Sequence, residues 1–251
     1  MRTVQVIGIG AGDPDHLTLQ AVAAMRRTDV FLTVDKGEPT ADLAGLRAEL
    51  LARHVSRPFR VVTVPDPERD RAQDSTGGAY EAAVRDWQHQ RAAHYARVLA
   101  DEVPDGAVCS FLVWGDPAVY DGTLRILEGI ADEIAITVVS VPGISAVQAL
   151  AAAHRLVLNR VGGAFTITTG RRLARDGMVG DDVVVMLDAR CAFAELPDAG
   201  VDIFWGAYLG SPDEVLIAGD LHAVKNEIVH IRARERARKG WIMDTYLLRR
   251  R

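Results

Sequence analysis

The sequence predicts an α/β fold of two α/β domains with a ligand cleft between them, the first on a mostly parallel sheet and the second on a mixed one. Three observations lead there. From residue 1 to 154, apolar runs of strand length alternate with stretches of helical periodicity, the pattern of βαβ units. Glycine-bearing loops follow several of those runs, where an open parallel sheet places its ligand loops. Beyond residue 160 the strand-like runs lie closer together, and a turn through Ser211–Pro212–Asp213 can pair two of them antiparallel. The domains are expected at 1–158 and 159–251.

VQVIGI (4–9) reads as a buried strand, followed by a glycine loop and a helix over Leu17–Arg27. VFLTV (30–34) and RVVTV (60–64) are strands, and Leu43–His54 between them has helical spacing. The charged, Pro- and Gly-bearing stretch 65–78 is long for a loop inside a compact domain, which points to a functional or unstructured segment. Tyr80–Ala100 is an amphipathic helix, VCSFLV (108–113) a strand and Thr123–Ile130 a helix. The strand ITVVSV (136–141) and the alanine-rich helix Ser145–His154 complete the first part. After a connector at 155–163, strands are expected at 165–169, 183–187, 202–210 and 214–219. Then comes a helix over Leu221–Lys239 closed by Gly240, and a last buried strand, WIMDTYLL (241–248). The arginines at 249–251 read as a solvated tail.

Composition narrows the function classes. The 251 residues are 49% hydrophobic and 25% charged, as in a soluble globular protein. The net charge of −5 argues against a nucleic-acid partner, although a local basic cluster can still hold an anion. No apolar stretch approaches the roughly 20 residues of a membrane span, and MRTVQVIGIG runs straight into a strand pattern with no h-region, so the expected location is the cytoplasm, off the membrane. Cys109 and Cys191 make neither a disulfide framework nor a CxxC site, and no HExxH occurs, so no metal is expected.

Three loops carry the chemistry. GIGAGDPDHLT (8–18) lacks the dinucleotide fingerprint: the sixth position is Asp13, and an aspartate beside a helix N-terminus competes with a pyrophosphate. A glycine turn with an acidic cap accounts for it equally. WGDPAVYDG (114–122) repeats the Gly-Asp-Pro theme, and Pro117 holds Asp116 extended at the strand exit. In VPGISAV (141–147), Ser145 and Gln148 have capping-box spacing. Lining one crevice, these loops offer backbone groups and two carboxylates but no phosphate clamp. That suits a ligand with hydroxyls, an adenine and a positive centre, such as S-adenosylmethionine.

GIGAGDPDHLT, WGDPAVYDGT and VPGISAVQALAA, in this order and spacing, resemble the tetrapyrrole methylases, the S-adenosylmethionine-dependent enzymes of corrin and sirohaem synthesis. The resemblance spans essentially the whole chain. The stretches 85–99, 158–172, 205–214 and 236–250 add a likeness to members that methylate a corrin precursor and remove its acetyl group. It implies a homodimer and a small-molecule tetrapyrrole substrate. It also implies that Trp114, Gly115, Asp116 and Val119 contact S-adenosylmethionine, that Ser145, Ala146, Met186 and Leu209 line its pocket, and that Ala11 lies near it. Met186 equally fits plain core packing. Other readings are a tetrapyrrole C-methyltransferase without deacetylation and a non-catalytic tetrapyrrole-binding module.

The implied macrocycle is fringed with carboxylates. Arg171 and Arg172 follow a strand, and if a helix begins there they occupy its unfavourable end, which an anionic partner would explain. A solvated pair explains them as well, and Arg160 is a weaker candidate. Deacetylation needs a general base to activate water. Asp13 and Tyr120 are the candidates, with Asp116 and His16 beside them, and both aspartates also fit a loop-bracing role.

Overall fold

The computed structural model describes residues 1–34, 41–64, 66–67, 77–131, 133–197 and 200–251. Most of the 65–78 stretch singled out above lies outside them. The chain divides into two compact units, Met1–Gly10 with Pro14–Ile144 and Ala11–Asp13 with Ser145–Arg251.

The first unit is a five-stranded parallel sheet of β1 (Arg2–Gly8), β2 (Val30–Val34), β3 (Arg60–Val64), β4 (Val108–Val113) and β5 (Ile136–Val141), in the order β3-β2-β4-β1-β5. Its helices are α1 (Leu19–Arg27), α2 (Ala41–His54), α3 (Gly77–Glu102) and α4 (Thr123–Ile130). The central strands are apolar on both faces because both are covered. Ile7, Phe31 and Leu112 pack with Ala21, Met25 and Leu50 of α1 and α2. Their neighbours Val6, Leu32 and Phe111 pack with Tyr95, Leu99 and Leu127 of α3 and α4. Each such buried side chain contributes about 1.5–3 kcal/mol. Gln5, Thr28 and Ser110 form a buried polar group within this core: Gln5 donates to Ser110 Oγ at 3.2 Å and to the Ala24 carbonyl at 3.3 Å, so its burial is compensated.

The second unit holds β6 (Thr166–Thr169), β7 (Asp182–Met186), β8 (Val201–Ala207), β9 (Val215–Asp220) and β10 (Asp244–Arg250), in the order β6-β7-β10-β8-β9. Only β6 and β7 are parallel; the other pairs, β8 and β9 included, are antiparallel. Val184 and Leu247 face α5 (Ala146–Ala153), while Val183, Val185, Tyr246 and Leu248 face the side of α7 (Leu221–Lys239). Because Val147, Ala149 and Leu150 pack with Val184 and Leu247, α5 belongs to this unit. The chain therefore divides at Ile144 and Ser145, earlier than the expected 158 and 159.

Two further expectations are corrected. The last strand starts at Asp244, not Trp241, and the Trp241 and Met243 carbonyls serve Tyr208: its N–H donates to Met243 O at 3.0 Å and its hydroxyl to Trp241 O at 2.7 Å. Of the 249–251 arginines expected to be a solvated tail, Arg250 and Arg251 are exposed, whereas Arg249 is not. Arg249 pairs with buried Asp182 at 2.5 Å and donates to the carbonyls of Val157 and Leu158, and Arg251 pairs with Asp220 at 2.5 Å. Arg160 binds the Arg250 carbonyl and Asp182, so its side chain anchors the connector.

Candidate active site

β4, β1 and β5 are neighbours, so their three exits, which carry the glycine loops, lie side by side. Gly8, Gly115 and Gly143 meet there. A Cβ on Gly143 would stand 2.2 Å from the Gly115 carbonyl oxygen, and one on Gly8 2.7 Å from the Gly143 Cα. Only glycine permits that approach. Gly10 and Gly115 form an antiparallel bridge in which Gly115 N–H donates to Gly10 O at 2.8 Å.

Asp116 fastens this arrangement. Its Oδ1 accepts from Ala118 N–H at 2.8 Å and its Oδ2 from Gly143 N–H at 2.9 Å, so one carboxylate ties the second loop to the third. Of the two roles open to Asp116, the bracing one has its partners in place. Trp114 is half-buried against the cluster that contains Ile9 and Leu112. Val119 is half-buried, and Tyr120 is exposed with a left-handed φ of 55°. The buried Nδ1 of His16 has no hydrogen-bond partner among the described residues.

In the second unit, Ala11, Ala146, Met186 and Leu209, distant in sequence, gather in one cluster around Val147 and Leu150. Ser145 caps α5 through the expected box: its hydroxyl accepts from Val147 N–H at 3.2 Å, and Gln148 reaches back to its N–H at 3.1 Å. Asp13 is half-buried in this unit, and Tyr120 belongs to the other. Arg171 and Arg172 lie exposed in the first turn of α6 (Gly170–Asp176), capped by Thr169. Arg172 is 3.5 Å from Asp176, whose carboxyl is held below the usual carboxylate range chiefly by its hydrogen bonds from Arg175.

Sequence reasoning missed a buried polar network behind β7. Asp188 accepts from the N–H groups of Arg190 at 3.0 Å and Ala192 at 2.7 Å, and from the Tyr246 hydroxyl at 2.7 Å. Arg232 donates to the Asp188 carbonyl at 2.7 Å and pairs bidentately with Asp244 at 2.8 and 3.2 Å, and Trp205 Nε1 adds a third donor to Asp244. Burial pushes the Asp244 carboxyl up, opposed by Arg232, and raises the Tyr246 phenol. Single charged residues spread from 188 to 244 left no local pattern to read.

Among the described residues no group of three or more His, Cys, Asp or Glu is placed to hold a metal, and no helix is long and apolar enough to cross a membrane. The fold and the exits define an α/β protein whose glycine loops pack tightly together at the strand ends of a parallel sheet. Residues 3–225 match the family model of the tetrapyrrole (corrin/porphyrin) methylases, and the chain belongs to that family. It is 43% identical over 253 residues to a precorrin-6A synthase [deacetylating] of Sinorhizobium sp, covering 99% of this chain and 95% of the relative. The crystal structure of a cobalamin synthesis related protein (CobF) from Corynebacterium diphtheriae matches with a TM-score of 0.82 and 37% identity, over 100% of this chain and 99% of that one. Uroporphyrin-III C-methyl transferase from Thermus thermophilus, solved with S-adenosyl homocysteine, shares the fold: TM-score 0.57, 18% identity, 98% and 96% coverage.

Proposed function

We propose that this chain is an S-adenosylmethionine-dependent C-methyltransferase of cobalamin biosynthesis that methylates precorrin-5 at C-1 and releases acetate, giving precorrin-6A. The observation that carries the reading is the 43% identity to a precorrin-6A synthase over 99% of the chain, with the three glycine loops intact. In this reading Ala11, Trp114, Gly115, Asp116, Val119, Ser145, Ala146, Met186 and Leu209 hold the donor. Without a phosphate clamp, such a site suits a sulfonium nucleoside better than a nucleotide.

Methyl transfer from a sulfonium to an electron-rich ring carbon requires alignment at roughly 3–3.5 Å with water excluded. Rigid strand exits supply that alignment. Acetate release requires water to add to the acetyl carbonyl before the carbon–carbon bond breaks, and Asp13 or Tyr120 takes the water's proton. Arg171 and Arg172 bind the macrocycle's carboxylates. By likeness to the family, the enzyme works as a cytoplasmic homodimer.

The test is incubation of the purified protein with S-adenosylmethionine and precorrin-5. Mass spectrometry and NMR should show one methyl gained at C-1, the ring acetyl lost, and free acetate. A methylated product that keeps its acetyl group would leave a C-methyltransferase without deacetylation. Binding of the macrocycle without turnover would leave a binding module.

A further inference from the structure

β7 and β8 leave the second sheet at the same edge, since Thr245 of β10 pairs with Met186 on one side and Gly206 on the other. Both exits turn through a left-handed residue that is not glycine: Leu187 with φ 54° after β7, and Tyr208 with φ 50° after β8. Tyr208 is buried and hydrogen-bonded, which accounts for its conformation. Leu187 is 65% exposed and belongs to no core cluster. A branched residue in this region is strained and persists only where its surroundings over-determine the backbone.

The surroundings here do so. The next residue, Asp188, is fixed by three donors to its carboxylate and by Arg232 on its carbonyl. The start of α6 also presses on it: a Cβ on Gly170 would stand 2.4 Å from its Cγ. A buried network thus holds one leucine outward, directly after Met186, which shares a cluster with Ala11, Ala146 and Leu209.

We infer that Leu187 is an apolar contact for the adenosyl part of the methyl donor, and that Asp188, through its network, is the residue that positions it. The inference rests on the proposed function, because Met186 and Leu209 mark the donor's place.

Three proteins test it: wild type, Leu187→Gly and Leu187→Met. Calorimetry with S-adenosylhomocysteine, thermal melting and donor kinetics are read for each. Leu187→Gly relieves the left-handed conformation, so its Tm should equal or exceed that of wild type, while the Kd for S-adenosylhomocysteine rises about tenfold, the loss expected for one buried leucine. The donor KM should rise by more than kcat changes, and Leu187→Met should restore most of the affinity. Asp188→Asn, which keeps the Leu187 side chain but loosens the network that positions it, should also weaken binding, and a Kd unchanged in this variant removes the positioning role from Asp188. A Kd for Leu187→Gly within twofold of wild type overturns the inference. So does an unchanged Kd accompanied by a lower Tm or an altered oligomeric state, which would make Leu187 a packing or subunit contact. If wild type itself fails to bind S-adenosylhomocysteine, the proposed function falls and takes the inference with it.

Discussion

Replacing Asp116 with alanine separates a brace from a direct ligand contact. The carboxylate accepts from a part-buried N–H on Gly143 and an exposed one on Ala118. Stranding the Gly143 donor costs about 1–3 kcal/mol, whereas the Ala118 donor can turn to water at a cost of about 1 kcal/mol or less. Asp116→Ala should therefore lose about 1–4 kcal/mol of stability. Asp116→Asn keeps one acceptor oxygen but turns an amide N–H₂ toward the other donor, so about half that loss is expected. Urea denaturation should show a lower midpoint at unchanged slope. With the second and third loops no longer tied, S-adenosylhomocysteine should bind at least about tenfold more weakly, measured by calorimetry. If Asp116→Ala is as stable as wild type, the brace is not what holds Gly143. If stability is unchanged while affinity collapses, Asp116 meets the donor directly.

Gly143→Ala should be more damaging than its one methyl suggests, because the new Cβ would stand 2.2 Å from a backbone oxygen; a loss of about 1–3 kcal/mol is expected, and a melting temperature equal to wild type would refute the close packing of the exits. Arg171→Ala or Arg172→Ala should raise the macrocycle KM by about ten- to hundredfold, more at low salt, with donor affinity near wild type; if neither changes it, the pair is solvated surface. Burial pushes the Cys109 thiol up from about 9 to about 12. In that range the unfolded chain gives up this proton and the folded chain keeps it, so stability falls with rising pH by up to about 1.4 kcal/mol per unit. Cys109→Val should flatten that slope in alkaline denaturation curves.

β2, β3, β4 and β5 were legible to the residue because each is a short run rich in β-branched and apolar residues, although only β2 and β4 are largely buried and the edge strands β3 and β5 are mostly exposed. The end of α7 was legible because Gly240 takes the left-handed C-cap. Hydrophobicity misled at Trp241–Met243, where it marks packing around Tyr208 and not strand pairing. Charge misled at Arg249, whose partner Asp182 is 67 residues away. In the site, glycines at each strand exit were visible, but not that three of them touch. The role of Asp116 was open in the sequence because its second partner, Gly143, lies on another loop. Asp188, Arg232 and Asp244 could not be joined at all, since such a pairing is created only by the antiparallel return of β10.

The grouping of Ala11–Asp13 with the second unit bears on how the chain can be cut. Ala11 is buried in that unit's cluster, and a Cβ on Gly12 would stand 2.5 Å from the Leu209 carbonyl oxygen. A fragment beginning at Ser145 would carry α5 and every strand of its sheet, yet lack three residues that the chain supplies more than a hundred positions earlier. Its surface would open beside Leu209, one of the residues assigned to the donor. Severing between Ile144 and Ser145 is thus not a clean excision, and a split form of the protein would need its N-terminal piece to restore the three missing residues.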